Sequence, residues 1–218
     1  MRAIHSFNRL LIATFAFIAL LILARIFYTG SLRHIFLLWN IFLAWIPYAM
    51  SCQFGTCQNK HPFKQGILFF TWLVFFPNAL YIVTDLVHLQ NNGNAPLWFD
   101  VILLFTSSFL GLILAFASLQ YAERFLQHTF GHLMKTRLVP VILFLGSFGV
   151  YLGRFERWNS WDIIHSPFEL AENIWQHIFF PAHYLRTWVV TVMLTILFYI
   201  IYGFSRYVSL KPHKDAGL

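Results

Sequence analysis

The stretch LWFDVILLFTSSFLGLILAFASL, residues 97–119, carries a single acid, Asp100, and no base in 23 positions. Wound as an α-helix it extends about 34 Å, enough to cross the ~30 Å hydrocarbon core of a bilayer. The backbone there has to be helical, because each unpaired peptide group in hydrocarbon costs several kcal/mol. Five further apolar runs, at 10–28, 35–52, 66–84, 138–153 and 187–205, are of similar character. Those at 35–52 and 138–153 are short, so tilt or partial insertion stays open for them. The chain has 218 residues, 59% of them hydrophobic and 11% charged, with 26 Phe. That balance is wrong for a soluble domain, and the connections between runs are too short to form one. The expected fold is therefore all-α, a polytopic transmembrane bundle of about six spans forming one membrane domain over 1–218.

Charge gives a sidedness. Arg2 and Arg9 precede an apolar run as in a secretory signal, but no A-x-A-like cleavage site follows, which favours an uncleaved first span. With a cytoplasmic amino terminus, Arg2, Arg9, Lys60, Lys64, Arg124, Lys135, Arg137, Arg206, Lys211 and Lys214 fall inside. Only Arg25, Arg33, Arg154, Arg157 and Arg186 fall outside, the direction the positive-inside rule requires. The expected location is the cell (inner) membrane with both termini cytoplasmic, and the basic tail from Arg206 to Lys214 is attracted to anionic lipid. Asp85, Asp100, Glu156, Asp162, Glu169 and Glu172 then all lie outside, so polar chemistry is concentrated on the outer face. The net charge of +7 does not mark a nucleic-acid binder, since the bases are scattered between apolar runs.

Two polar motifs interrupt the apolar pattern. The third run ends in Phe76-Pro77-Asn78-Ala79-Leu80-Tyr81, followed by Thr84-Asp85-Leu86-Val87-His88. Pro77 removes a helix hydrogen bond and predicts a kink or break, with Asn78 able to bond the freed backbone or a neighbouring helix. The fifth run leads into Gly153-Arg154-Phe155-Glu156-Arg157-Trp158-Asn159-Ser160-Trp161-Asp162. On a continuous helix Arg154 and Arg157 share a face and can clamp one phosphate or carboxylate, while Trp158 and Trp161 can stack on a ring or acyl chain. The bland reading is equally ordinary: arginines snorkelling to headgroups, and tryptophans in the interfacial belt.

Asp85-x-x-His88 and Asp162-x-x-His165 repeat one spacing, which on a helix pairs carboxylate with imidazole for acid–base work or for a shared metal. Cys52, Cys57 and His61 offer three soft ligands where a structural zinc site takes four, and His128 and His132 lie four apart. Neither the identity nor the presence of a metal or other cofactor follows from these spacings. Ser166-Pro167-Phe168-Glu169 reads as a helix start. Beyond it Phe168, Ala171, Ile174, Trp175, Ile178 and Phe179 form an apolar face opposite Glu169, Glu172, Asn173, Gln176 and His177. An amphipathic helix ending near Pro181 and lying in the outer interface is expected, with a short re-entrant segment as the alternative.

The motif residues Trp72, Phe76-Pro77-Asn78-Ala79, Tyr81, Thr84-Asp85-Leu86 and His88-Leu89, then Gly153-Arg154-Phe155 and Arg157 to Asp162, together resemble the uncharacterised bacterial membrane family called domain of unknown function 1361. Trp39-Asn40 and Ile46-Pro47-Tyr48 extend the likeness over most of the chain. Leu80 departs from the family pattern, which has a second proline there, so the resemblance implies a gentler break in this chain. It implies a multi-span inner-membrane protein and carries no activity.

Three functions are compatible with these residues. The first is an envelope enzyme or binding protein with an outer pocket for an anionic lipid headgroup or envelope substrate. Asn78, Tyr81, Arg154, Arg157, Trp158, Asn159 and Trp161 would bind it, and Asp85, His88 and Asp162 would do any catalysis. The second is a small ion- or proton-coupled transporter built on the Pro77 break and Asp85, as an oligomer. The third is a membrane assembly scaffold.

Overall fold

The computed structural model describes residues 2–57, 62–89 and 95–210. Among these the backbone is helical and no strand occurs. The helices are α1 (Arg2–Thr29), α2 (Phe36–Ser51), the short α3 (Phe54–Cys57), α4 (Pro62–Tyr81), α5 (Leu97–Phe130), α6 (His132–Tyr151), the short α7 (Asp162–His165), α8 (Pro167–Phe179) and α9 (Leu185–Leu210). Five segments are long and apolar enough to cross a membrane: Ser6–Thr29, Pro62–His88, Leu97–Phe130, Leu138–Glu156 and Leu185–Tyr207. The sixth expected span, α2, is apolar but has only 16 residues, about 24 Å of helix.

α4 sits at the centre, packed against α2, α5 and α6, with α1 on α5 and α9 on α6. Its buried side chains Trp72, Phe76, Ala79 and Leu80 meet Leu37, Ile41 and Ala44 of α2 and Leu103, Leu104 and Leu114 of α5 in one core. A hydrogen-bonded bolt joins three helices: Trp72 Nε1 donates to Ser118 Oγ at 2.7 Å, and that hydroxyl donates to the Pro47 carbonyl at 3.0 Å. α6 rides close over α4 because Gly149 faces Pro77; a Cβ on Gly149 would lie 2.5 Å from Pro77 Cγ.

Of the kink or break expected at Pro77, a break does not occur there. The α-helix runs through the proline to Tyr81 and then tightens into a 3-10 segment, Ile82–His88. Local hydroxyls take up carbonyls at this change of winding: Thr84 Oγ1 donates to Tyr81 O at 2.6 Å, and Ser108 Oγ to Ile82 O at 3.1 Å. α6 changes winding too, widening into a π segment, Leu152–Glu156, that ends at Arg157 with φ 63. The N–H groups of Arg157 and Trp158 both close on the Leu152 carbonyl.

α8 begins at Pro167 and stops at Phe179, just before Pro181, although the Ser166 hydroxyl makes no capping bond. Its orientation corrects the sequence reading in one respect. His177, expected on the outward polar face, is fully buried against the bundle, while Phe168, Trp175, Ile178 and Phe179 are exposed. An outward apolar stripe is what a helix resting in the membrane interface presents.

Candidate functional site

The two polar motifs meet at one end of the bundle. Asp85, held by the 3-10 segment, is 1% exposed and paired with Arg154 Nη2 from the π segment. Burying a carboxylate this completely requires that its charge be matched and its remaining lone pairs filled. Arg154 supplies the charge, and Asn40 of α2 donates its Nδ2 to Asp85 Oδ2 at 2.8 Å. Arg154 has three further partners: Nε donates to Thr84 Oγ1 at 2.9 Å, Nη1 meets His88 Nε2 at 3.1 Å, and the guanidinium stacks 4.4 Å over the Tyr81 ring. A guanidinium has only donors, so His88 Nε2 accepts and the ring proton sits on Nδ1.

A second ion pair stands at the same end. Arg25 of α1 donates through Nε to Asp100 Oδ1 at 2.7 Å and through Nη2 to Oδ2 at 3.2 Å, and both residues are buried. His34, in the connection between α1 and α2, is also buried. Burial first, and then the Arg25 charge, push its pKa below the ordinary histidine value.

Beside the Asp85–Arg154 pair lies a cavity of about 300 Å³. Its floor is one stripe of α4, formed by Leu73, Val74, Pro77, Asn78 and Tyr81. α2 walls it with Trp39, Asn40 and Leu43, and α6 with Leu145, Phe148 and Gly149. The connector residues Trp158, Asn159 and Ser160, with Leu170 and Ile174 of α8, roof it. No charged side chain lines it. Ser160 ties roof to floor, receiving a bond from Asn78 Nδ2 at 2.9 Å and donating to the Val74 carbonyl at 3.1 Å. Asn78 Nδ2 also reaches Phe75 O at 3.0 Å.

The amide oxygens of Asn40 and Asn78 receive no hydrogen bond among the described residues. Leu73, whose carbonyl loses its usual helical donor at Pro77, lines the same space. The cavity is thus uncharged, with the amide oxygens of Asn40 and Asn78 beside the side chains of Trp39, Tyr81 and Trp158, which carry donors.

Of the residues singled out from the sequence, Asn78, Tyr81, Trp158 and Asn159 line this cavity. Asp85, His88 and Arg154 stand behind its wall, joined to it through Asn40 and Tyr81. Trp161 is half-buried at the rim, edge-on to Trp39 at 6.5 Å. The two-arginine clamp is corrected. It presumed continuous helix, whereas the helix ends before Arg157, which is exposed and makes no ion pair among the described residues.

The two Asp-x-x-His pairs do not converge. Asp162 Oδ2 caps its own connector, accepting the Asn159 backbone N–H at 2.6 Å, and His165 is exposed. Among the described residues no three His, Cys, Asp or Glu side chains gather as a metal site would require. Cys52 is a free, exposed thiol; His61 and the side chains of Cys57 and His132 fall outside the described residues. The reading from sequence missed Asn40 as a site residue. A polar amide inside the short second run was the available signal, since such residues are costly in hydrocarbon without a partner.

The model of a family described as protein of unknown function (DUF1361) matches residues 39–201, well over half of the chain. The chain belongs to this family. The DUF1361 segment contains every residue around the cavity and the Asp85–Arg154 pair, whereas Arg25 and His34 precede it. No curated protein and no solved structure matches the chain significantly.

Proposed function

We propose that this DUF1361 protein binds an amphipathic molecule in the cavity between α2, α4 and α6, with the ligand's polar part held by Asn40, Asn78 and Asn159. The observation that carries this reading is the composition of the lining. Amide and carbonyl acceptors without donors sit among Leu43, Leu73, Leu145 and Phe148, with no charge. At about 300 Å³ the space is at the small end of ligand sites, suited to a headgroup or a short segment.

An uncharged lining shifts the expected ligand from anionic to neutral, with a hydroxyl or N–H to donate to the amide oxygens, since Arg154 is neutralised by Asp85. In this reading Asp85, His88 and Arg154 are positioning residues that fix Asn40 and Tyr81, with the Asp85 carboxylate taken up by Arg154 and Asn40. The positive-inside assignment puts the cavity on the outer face. The transporter reading has less support, because α4 stays helical through Pro77 and the lining stops at the level of Leu43, Leu73 and Leu145.

Native mass spectrometry of the purified protein tests the binding. Wild type should retain a small co-isolated molecule that Val74→Trp, filling the cavity from its floor, excludes. Identical spectra from both proteins would refute the reading.

A further inference from the structure

We infer that the cavity's ligand is a membrane lipid with a neutral headgroup, its head at Asn40 and Asn78 and an acyl chain laid along an aromatic strip on the outside of α2. This rests on the ligand-binding reading above and gives that ligand a class and an orientation.

The lining is graded along the helix axes. On α4, Asn78 and Tyr81 stand above Leu73 and Val74; on α2, Asn40 stands one turn above Leu43; on α6 the deepest lining residue is Leu145. From Gly153 down to Leu145 the cavity runs eight residues, about 12 Å. Hydrogen-bonding groups at the bundle end and bare hydrocarbon below are the profile of a lipid, head outward and chain inward, in register with the bilayer's own gradient. A wholly polar solute would leave the lower half unmatched, and an anion would meet no free cation in the lining.

The cavity is too small to enclose a lipid of ordinary chain length, so the chain has to leave it. The geometry supplies an exit. Trp39 lines the cavity and is also 55% exposed, so it forms the mouth. Phe42 and Trp45 follow at three-residue steps on the same side of α2, both exposed, with ring centroids 5.6 Å from Trp39 to Phe42 and 6.4 Å from Phe42 to Trp45. Trp161 stands edge-on to Trp39 at the top of this strip. Interfacial tryptophans ordinarily gather at one level of the membrane. Here the rings run inward from the mouth, and Trp45 lies nine residues into α2, about 13 Å along its axis. The strip is apolar and continuous with the cavity through one residue, Trp39. That continuity favours a chain whose head is already inside over a second copy of the protein, which would need the strip alone.

The test uses a diacylglycerol carrying a diazirine at mid-chain, with phosphatidylglycerol bearing the same group as the anionic comparator, in nanodiscs of the wild-type protein. Irradiation and peptide mapping should show diacylglycerol attached around Phe42 and Trp45, saturably, with excess unlabelled diacylglycerol displacing it and phosphatidylglycerol labelling more weakly. Val74→Trp should reduce the saturable labelling at least about tenfold while the protein stays monodisperse. Labelling that is not saturable in wild type, or is equal for both lipids, is ordinary boundary lipid and overturns the inference even if the variant fails to fold. Absence of labelling together with disulfide-linked dimers of Trp45→Cys would assign the strip to a second copy and overturn it as well. A chainless polar molecule found by native mass spectrometry and excluded by Val74→Trp, without lipid labelling, would leave the binding reading standing and this inference refuted.

Discussion

Replacing Arg154 by Gln is the perturbation from which most follows, because one side chain holds four partners. It would leave the Asp85 carboxylate, 1% exposed, with a single donor, Asn40 Nδ2 at 2.8 Å. Removing one member of a buried ion pair costs about 3–5 kcal/mol, mostly the penalty of the charge left behind. The lost stacking on Tyr81 at 4.4 Å adds about 1 kcal/mol. For a chain of this size each kcal/mol moves the midpoint by roughly 2–4 °C, so thermal unfolding in detergent should shift down by on the order of 10 °C. Asp85→Asn removes the charge that made the loss costly. The double variant Asp85→Asn, Arg154→Gln should therefore melt well above Arg154→Gln alone, a coupling that a double-mutant cycle reads directly. An Arg154→Gln protein that melts with wild type, or a double variant that loses the sum of the two single losses, would refute this account of the pair.

Arg157→Ala should melt within about 0.5 kcal/mol of wild type and keep its co-isolated ligand, and Arg157→Gly should be equal to wild type or slightly more stable, because φ 63 suits glycine; loss of ligand in either, read by native mass spectrometry, would restore the clamp. Gly149→Ala should cost about 1–3 kcal/mol by thermal unfolding, since its Cβ would lie 2.5 Å from the rigid Pro77 ring. His34 gives a pH dependence of definite sign. Its folded pKa lies below the ordinary value, so the unfolded chain binds more protons as pH falls, and this stabilisation is present above about pH 6.5 and lost below it. Melting curves from pH 7.5 to 5 should show a steeper acid decline in wild type than in His34→Gln; parallel declines would contradict it.

The helical fold was legible because membrane burial writes itself into long runs: residues 97–119 admit no other backbone in hydrocarbon. The partners inside it were not. Asp100 reads as one polar residue in an apolar run, and nothing in its neighbourhood announces Arg25, 75 positions away, as its counterion. Asp85 and Arg154 each stood out in a polar motif, but their pairing depends on how closely α6 approaches α4, which Gly149 and Pro77 decide through packing rather than through spacing. The two-arginine face failed for a local reason: periodicity assumes regular winding, and the π segment with its left-handed Arg157 abolishes it. His177 misled similarly, because a helix whose apolar face meets lipid turns part of its polar face toward the protein. Asn40 was overlooked because its amide, though a signal in an apolar run, does not name the carboxylate 45 positions away that it serves.

A density map of the wild-type protein in lipid nanodiscs, at a resolution that shows bound lipid, tests the central claim most directly. The account predicts elongated non-protein density with its thick end between Asn40 and Asn78 and its thin end leaving past Trp39 along Phe42 and Trp45. An empty cavity, or one filled by side chains of Leu43, Leu73 and Phe148 closing across it, would contradict it.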